Sequence, residues 1–474
     1  MLDNLLNLFN TNKKVLVIGE IILDKYIYGK TDRISSEVSI PVFKEESIEY
    51  RLGGAGNVAS NLSYFGLDVS ILSIVNLENW NIIKNLLSKN LINYNNIIFD
   101  NNYLNSVKSR YISNNYQCFR TDKENSFFKF NKNKKKELYD NIDNIIKNYE
   151  CILLSDYNNG LLDDEITQYI INKANENNIN ILVDPKKGNY LKFKNSTLIK
   201  PNKNDAEFFC NFKIQSEYTI LNACKLFVEK LNVKTCILTM SQNGMYIYNN
   251  GKLEHIKVRN NLQVIDVTGA GDTVLAALCL GLVNNKDLIY TCKMANIFVE
   301  NVISRFGTSR INLIDIIKEN NKIIKSYEQL TILSDYIKKE KKKLVFTTGC
   351  FDIIHKGHID SVKKSKELGK ILFVALNSDK SIINLKGNKR PIQNLKSRLE
   401  IISSIQYIDF LMVFDENVPN KIYDILNPDI FTKGNDYDLD KIKKLFPNIK
   451  NFVPLNLVSN YSTTNVIKKI INFN

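Results

Sequence analysis

Short apolar runs of strand length alternate with longer amphipathic stretches along the first two thirds of the chain. The apolar runs are rich in β-branched residues and lie at 14–18, 69–74, 151–155, 179–183, 196–199 and 235–239. Helix-length segments separate most of them, and this βαβ rhythm is typical of a doubly wound parallel sheet. Two extended segments, at 37–43 and 106–119, interrupt the rhythm. They predict a small additional sheet that forms a lid beside the main one.

The alternation stops at 311–343 and then resumes. That stretch is charged, helical in its pattern and poor in turn residues, and it ends in a lysine-rich run at 338–343. Further apolar runs follow at 344–348, 371–376, 410–413 and 429–432. The pattern predicts an α/β chain with a first domain at 1–315, a helical linker at 316–342 and a second domain at 343–474.

Length and composition agree with two folded domains. The 474 residues exceed what one hydrophobic core usually supports, and the apolar content of 44% is ordinary for globular proteins. No apolar run approaches the roughly 20 residues of a membrane span. An acidic residue, Asp3, stands where an export signal carries bases, and the eight cysteines show no paired spacing. We therefore expect a cytoplasmic protein with reduced thiols and no membrane partner.

The formal net charge of +14 raises the question of nucleic acid binding. A nucleic acid surface is normally a patch or stripe of Lys and Arg. Here the lysines are spread over the whole chain among many asparagines and isoleucines. We therefore expect no nucleic acid partner.

The segment DVTGAGDT at 266–273 carries the first chemical signal. It precedes a small-residue helix pattern at 274–280, so its glycines lie in a strand-to-helix turn. The amides of Gly269, Ala270 and Gly271 could then meet an anion at the helix N-terminus. Asp272 could accept the proton of an attacking hydroxyl during phosphoryl transfer. The alternative is a plain glycine turn in which Asp272 only caps the helix.

This segment resembles the signature of ribokinase-like sugar kinases, and other motifs agree with it in order and spacing. They are GEIILD at 19–24, GGAGNVA at 53–59 and PNKND at 201–205. The chain departs from the family pattern with Glu20 in place of Asp and Asp205 in place of Glu. The resemblance implies sugar contacts from Asp24, Gly53, Gly54 and Asn57.

The same resemblance implies where the nucleotide and its ions bind. The residues expected around ATP are Asn202, Lys203, Asn204, Asp205, Thr239, Ser241, Gly244 and Asn296. Mg²⁺ is expected to arrive with ATP, with Asp205 as the candidate protein ligand, and no fixed metal site is expected. A monovalent cation near the kinase site is a further expectation.

A second chemical signal opens the C-terminal part. The strand pattern at 344–348 leads into GCFDIIHKGH at 349–358, which holds two of the three histidines. A strand, a glycine turn and a helix again favour an anion site, and His355 and His358 are spaced to share one phosphate. This arrangement suits attack on an α-phosphate, which needs positioning and charge stabilisation rather than a covalent nucleophile. Zinc binding is the competing hypothesis, but the region offers no further convincing ligands.

The HxGH motif resembles that of the Rossmann-like nucleotidyltransferase superfamily. Downstream segments that fit are NSD at 377–379, LKG at 385–387, RP at 390–391, KGND at 433–436 and YSTTN at 461–465. The nucleotide-binding residues that the resemblance implies are Thr347, Gly349, Cys350, Phe351, Lys386, Arg390, Lys433, Asp436, Ser462, Thr463 and Thr464. Helix capping is the alternative for Ser462.

With the segments 23–37, 155–160 and 183–186, the two motifs resemble the bifunctional heptose 7-phosphate kinases and heptose 1-phosphate adenylyltransferases. The resemblance implies phosphorylation of heptose 7-phosphate at C1 with MgATP. It also implies transfer of AMP from ATP to heptose 1-phosphate, which gives ADP-heptose for the lipopolysaccharide core. Lys108, Arg110 and Lys186 would contact the sugar phosphate, and the lid would pair across a homodimer. The family usually has Lys where this chain has Asn159.

Two other functions stay open at this point. One is another pairing of a sugar kinase with a nucleotidyltransferase, such as one that uses CTP. The other is a sugar-binding protein with reduced catalysis. The presence of Asp272, His355 and His358 favours an active enzyme, whereas Asn159 keeps a partial loss of kinase activity open.

Overall fold

The chain divides into two compact units, one spanning Leu8–Asn312 and one made of Met1–Asn7 and Leu313–Asn474. The computed structural model describes residues 5–9, 11–114, 116–124, 128–259, 264–307, 309–320, 322–435, 437 and 439–456. Each unit has its own parallel sheet and its own hydrophobic core.

The strands of the first unit form a main sheet and a lid sheet. In chain order they are β1 (Lys14–Gly19), β2 (Ile21–Ile34), β3 (Pro41–Gly54), β4 (Asp68–Val75), β5 (Asn93–Phe99), β6 (Ser106–Ser113), β7 (Tyr116–Lys123), β8 (Cys151–Ser155), β9 (Asn180–Asp184), β10 (Leu198–Ile199), β11 (Thr235–Thr239), β12 (Met245–Asn249) and β13 (Lys252–Ile256). The main sheet runs in the order β13-β12-β11-β10-β9-β8-β1-β4-β5. The seven strands from β11 to β5 in that spatial order are mutually parallel. The remaining two, β12 and β13, form an antiparallel hairpin at one edge.

Helices cover this sheet because the apolar strands need both faces buried. They are α1 (Ala55–Tyr64), α2 (Trp80–Lys89), α3 (Lys132–Ile145), α4 (Asp164–Glu176), α5 (Lys203–Cys210), α6 (Glu217–Leu231), α7 (Ala270–Val283) and α8 (Leu288–Ile303). Side chains cap several of them, as when Asn202 accepts the amide of Asp205 at the start of α5. The helix α7 is apolar and buried along almost its whole length, where it packs between α1, α8 and the sheet.

The lid sheet has the strand order β3-β2-β6-β7. The predicted segments 37–43 and 106–119 fall in or beside it, but the lid is larger than predicted because β2 and most of β3 also belong to it. The first half of β2 is buried and apolar like a core strand, whereas its last residues are exposed and polar. Because its first half is buried like a strand of the main sheet, the hydrophobic pattern alone does not show that β2 belongs to the lid.

The second unit is a six-stranded parallel sheet with helices on its faces. Its strands are β14 (Ile323–Ile324), β15 (Leu344–Gly349), β16 (Ile371–Asn377), β17 (Phe410–Phe414), β18 (Ile430–Gly434) and β19 (Phe452–Leu455), in the order β14-β17-β16-β15-β18-β19. Its helices are α9 (Leu313–Asn320), α10 (Tyr327–Lys339), α11 (Lys356–Glu367), α12 (Asp379–Lys386), α13 (Leu395–Ser403), α14 (Asn420–Leu426) and α15 (Leu439–Leu445).

The stretch predicted as a helical linker at 316–342 contributes to this second sheet. It is helical in α9 and α10, but between them Ile323 and Ile324 pair in parallel with Leu411 and Met412 of β17. The α10 residue Ser334 also donates its hydroxyl to the carbonyl of Ile425, 2.9 Å away. The stretch is therefore an edge of the second unit, and a strand of two residues is too short to show in a hydrophobic pattern.

Within the described parts of the chain, no helix combines the length and the apolar character that crossing a membrane requires.

Candidate active sites

Asp272 lies in the first turn of α7, and two side chains from distant segments bind its carboxylate. The amide of Asn57 in α1 donates to Oδ2 at 2.8 Å, and the hydroxyl of Tyr157 after β8 donates to Oδ1 at 3.1 Å. The residue that caps α7 is Gly269, and no side chain caps this helix. The contacts of Asp272 are therefore not those of a residue that caps the helix.

Burial raises the pKa of Asp272 to about 6. The nearby charge of Asp184 acts in the same direction, whereas the hydrogen bonds from Asn57 and Tyr157 and the charge of Lys186 oppose it. A carboxylate with this pKa is deprotonated at neutral pH and is still able to take up a proton. These are the properties of a general base.

The glycine turn before Asp272 places backbone amides at the N-terminus of a long, buried helix. Gly269 has a φ of 80°, a left-handed conformation that a glycine adopts without strain. The amide of Ala270 donates to the carbonyl of Val267 at 3.2 Å, so it is engaged in the turn rather than directed only at a ligand. A Cβ on Gly271 would lie 3.6 Å from the ammonium of Lys200. The turn therefore lies at a helix N-terminus beside a buried lysine, Lys200, whose ammonium pairs with Asp184 at 2.8 Å.

A cavity of about 830 Å³ opens beside this turn. It brings together the predicted residues Asn202, Thr239, Ser241, Gly244, Gly269, Ala270, Gly271, Asp272, Asn296 and Lys186. Asn296 donates to the carbonyl of Lys257 at 3.1 Å, which fixes the backbone that follows β13. The apolar lining includes Val264, Val267 and Val299, which suits one face of a nucleobase.

A second cavity of about 560 Å³ shares Tyr157 with the first as a lining residue. Its lining includes Lys108, Asn159, Lys186, Asn204 and Asp205. Lys108 pairs with Glu124 at 2.9 Å, and Asn159 donates to the hydroxyl of Ser106 at 3.1 Å. Burial would lower the pKa of Lys186, but the surrounding carboxylates, led by Asp184 and Asp205, raise it above its ordinary value. Three lysines, Lys108, Lys186 and Lys187, thus line a polar cavity that is suited to a phosphorylated ligand.

Other predicted sugar-binding residues are paired with each other. Asp24 and Arg110 form a buried ion pair at 2.6 Å. Gly53 lies against Asp24, because a Cβ at Gly53 would come within 2.7 Å of Oδ2 of that carboxylate. Gly54 follows with a φ of 57°, and α1 begins at the next residue. Gly53 therefore lets β3 pass close to the Asp24 carboxylate, and Gly54 lets it pass close to the carbonyl of Glu20.

Lys203, also predicted for the nucleotide, is exposed on α5 and has its ammonium 3.9 Å from the half-buried Glu207. Asp205 is different, because its Oδ2 is buried and has no hydrogen-bond partner among the described residues. An orphaned carboxylate oxygen close to Lys186, on a residue that lines the second cavity, fits a hydrated Mg²⁺ carried by ATP.

In the second unit, His355 and His358 face each other at the start of α11. Their ring centroids are 3.9 Å apart, and in the described part of the chain neither Nδ1 has a hydrogen-bond partner. Burial lowers the pKa of His358 to about 4, and the charges of His355 and Lys386 add to this effect. Burial likewise lowers the pKa of His355. Both imidazoles are therefore neutral hydrogen-bonding groups at neutral pH.

Contacts with several side chains hold the turn before these histidines in place. Phe351 has a φ of 45° and its ring lies 5.3 Å from that of His358. A Cβ at Gly349 would lie 2.7 Å from the Phe351 ring. Asp352 accepts the guanidinium of Arg390 at 2.7 Å, so the predicted residue Arg390 braces this turn.

Two further predicted residues lie at the carboxyl ends of strands. Thr347 donates to the carbonyl of Thr432 at 2.9 Å, and the ammonium of Lys433 lies 2.7 Å from the carbonyl of Thr348. The predicted residue Cys350 contributes its carbonyl to Arg398 at 2.8 Å. Asp436, Ser462, Thr463 and Thr464 lie outside the described residues.

Several residues that organise these sites are not among the predicted site residues. Tyr157 and Asp184 lie at or just after the carboxyl ends of β8 and β9, the edge at which parallel sheets bind ligands. Arg398 is fully buried and bonds to Asn377, Cys350, Gln393 and Asp379. Strand-end position could have identified the first two, but a helical arginine carries no such signal.

Comparison with known proteins matches the two units to two different families. The sequence profile of pfkB family carbohydrate kinases matches residues 12–314, and the Cytidylyltransferase-like profile matches residues 346–469. The bifunctional protein HldE of Aliarcobacter butzleri is 35% identical, with 96% of this chain and 97% of that protein covered. The bifunctional protein HldE of Helicobacter pylori strain J99 is 37% identical over 97% of this chain and 98% of that protein.

Solved structures show the same fold for the first unit. Phosphofructokinase-2 from Escherichia coli, in complex with substrates and products, aligns with a TM-score of 0.56 at 14% identity over 65% of this chain and 97% of its own. Arabidopsis thaliana ribokinase, complexed with ribose and ATP, aligns with a TM-score of 0.51 at 15% identity over 64% of this chain and 96% of its own.

The folds and sites together define a bifunctional transferase, in which a carbohydrate kinase precedes a nucleotidyltransferase on one chain. ATP and sugar phosphates are the substrates that this class implies. More particularly, the chain belongs to the HldE family of bifunctional proteins. The family, the α/β fold class and the transferase activity predicted from the motifs are confirmed.

Proposed function

We propose that the first unit phosphorylates heptose 7-phosphate at C1 and that the second transfers AMP from ATP to heptose 1-phosphate. The observation that carries the kinase proposal is the position of Asp272, at the glycine-led start of α7 and in the lining of the 830 Å³ cavity. The HldE membership adds the second reaction and the pairing of the two. ADP-heptose made in this way is a precursor of the lipopolysaccharide core.

In the kinase step, the C1 hydroxyl oxygen attacks the γ-phosphorus of ATP, its proton passes to Asp272, and the bond to the β–γ bridging oxygen breaks. The start of α7 and the ammonium of Lys200 lie close together at Gly271, where they would stabilise the charge of the transferring group. Mg²⁺, held with ATP beside Asp205, would neutralise phosphate charge. A monovalent cation near the site stays a prediction; one phosphofructokinase-2 structure with this fold contains potassium.

In the second step, an oxygen of the sugar 1-phosphate attacks the α-phosphorus of ATP and pyrophosphate leaves. His355 and His358, neutral and with free Nδ1 atoms among the described residues, donate hydrogen bonds to the phosphates once they adopt the matching tautomer. Lys386, close enough to lower the pKa of His358, adds positive charge there.

The test is an assay on the whole chain with MgATP, in which heptose 7-phosphate and heptose 1-phosphate are offered separately and products are weighed by mass spectrometry. We expect the 1,7-bisphosphate from the first substrate and ADP-heptose from the second. A parallel series with CTP tests the choice of nucleotide. Failure of both products with every nucleotide would contradict the proposal. The cytoplasmic location and the lid-mediated homodimer stay part of the proposal.

A further inference from the structure

We propose that Tyr157 is a positioning residue of the kinase, which orients the carboxylate of Asp272 and lies in the wall that the nucleotide cavity and the sugar phosphate cavity share. This inference rests on the proposed kinase function of the first unit. It begins with the location of Tyr157, which lines both the 830 Å³ cavity and the 560 Å³ cavity.

The hydroxyl of Tyr157 acts on Asp272. It donates to Oδ1 at 3.1 Å, while Asn57 occupies Oδ2. The two donors, one on each oxygen, hold the carboxylate plane in one orientation. The hydrogen bond from Tyr157 also favours the charged form of Asp272. A base that must accept a proton from a hydroxyl in one geometry gains from such a constraint.

The ring of Tyr157 acts on the second cavity. The ammonium groups of Lys108 and Lys186 lie 5.9 Å and 5.2 Å from its centroid, and both lysines line that cavity. The ring therefore supports two cations near the place where the sugar phosphate would bind. Loss of the ring should affect sugar phosphate binding, whereas loss of the hydroxyl alone should not.

The backbone that carries Tyr157 is fixed by Glu20. The amides of Tyr157 and Leu161 donate to the two carboxylate oxygens of Glu20 at 3.0 and 3.3 Å. The amide of Asp156 donates to the carbonyl of Asp184 at 3.2 Å. Tyr157 therefore projects from a restrained segment, as a residue that orients a base requires.

The test compares Tyr157→Phe and Tyr157→Leu in the whole chain. For Tyr157→Phe we expect kcat of the kinase to fall by about tenfold, since one hydrogen bond to the charged base is lost, with KM values nearly unchanged. The acidic limb of the kcat profile should move to higher pH. For Tyr157→Leu we expect an additional rise in KM for the sugar phosphate. Tyr169→Phe is the matched control, because Tyr169 donates to Asp143 at 2.7 Å on the surface.

A second measurement needs no sugar. The carboxyl ¹³C resonance of Asp272, identified by its absence in Asp272→Asn, is titrated in the ligand-free protein. Tyr157→Phe should move its midpoint to higher pH. An unchanged midpoint, or an unchanged kcat and pH profile in an active enzyme, would overturn the role of Tyr157. Absence of bisphosphate product from the unsubstituted protein would instead contradict the proposed function, and the titration would still decide the role of Tyr157.

Discussion

Asp272 has neighbours that change its proton affinity in opposite directions. Burial and Asp184 raise its pKa, whereas Asn57, Tyr157 and Lys186 stabilise the carboxylate, and the balance is a pKa of about 6. Such a value keeps the group ionised at neutral pH while its conjugate acid remains accessible. The chemistry of the kinase therefore depends on side chains far apart in the sequence.

The pH dependence of the kinase follows from this pKa. Since the base acts only when it is deprotonated, we expect kcat for phosphorylation to be about half of its plateau near pH 6 and to fall about tenfold per unit below that. The measurement is kcat at saturating ATP and sugar phosphate between pH 5 and pH 8. A flat profile across this range would argue against Asp272 as the base.

Replacing the base tests the independence of the two sites. Asp272→Asn keeps the shape of the side chain but cannot accept the proton, so we expect kinase kcat to drop by about a hundredfold or more. Adenylylation of heptose 1-phosphate by the same protein is the internal control and should be unchanged. Loss of both activities would contradict independent sites.

The mirror experiment concerns the second unit. His358→Ala removes an imidazole that would contact the nucleotide phosphates, and we expect adenylylation to fall by about a hundredfold while phosphorylation continues. His255→Ala, which alters the remaining histidine of the chain on β13, is the control and should leave adenylylation intact. Full adenylylation by His358→Ala would place the second active site elsewhere.

At the scale of elements, the join between β3 and α1 shows how a backbone path supports a side chain. Gly53 leaves room for the carboxylate of Asp24, which in turn pairs with Arg110 of β6. The strands β2, β3 and β6 thus meet at one buried ion pair. A charge pair of this kind is sensitive to small displacements, because its desolvation is compensated only by good geometry.

We expect Gly53→Ala to weaken sugar binding. The new Cβ would lie 2.7 Å from Oδ2 of Asp24, so either the strand or the carboxylate must move. KM for the sugar phosphate should rise by about tenfold or more, with adenylylation unchanged. Gly188→Ala is the matched control, because a Cβ there meets its nearest atom at 3.4 Å. Equal KM values for both variants would contradict the role given to Asp24 and Gly53.

Most of the elements and motifs could be predicted because each depends on residues that are close together in the sequence. The glycine motifs, the HxGH motif and the parallel strands are patterns within about ten residues. The contacts that complete the sites are not local: Asn57 and Asp272 are 215 positions apart, and Tyr157 and Asp272 are 115 apart. No periodicity in one sequence encodes such pairs, so the sequence alone predicts no role for Tyr157.

At the scale of the whole molecule, the lid leaves apolar groups in solvent. Every residue of β7 is exposed, and the exposed fractions of Tyr116 and Phe119 are 78% and 62%. Exposed aromatic groups on a strand that ends a sheet favour association with another surface. This agrees with the proposed homodimer through the lid.

We expect the double variant Tyr116→Lys/Phe119→Lys to weaken that dimer. Two charges in the apolar surface would have to be desolvated on association, so the mass measured by sedimentation equilibrium should fall by about half at low micromolar concentration. Tyr218→Lys, at a side chain that is 72% exposed on α6, is the control. A monomeric unsubstituted protein, or a double variant that stays dimeric, would contradict assembly through the lid.

The short strand β14 sets a limit on how the transferase could be produced as a fragment. It is supplied by residues upstream of the predicted domain start at 343, and it covers the edge of β17 at Leu411 and Met412. A fragment that begins at 343 would leave those backbone groups unpaired at an open edge, where another copy could add its own strand. A fragment that begins before Leu313 keeps the edge covered, so the choice of the first residue would decide between a soluble enzyme and an aggregate.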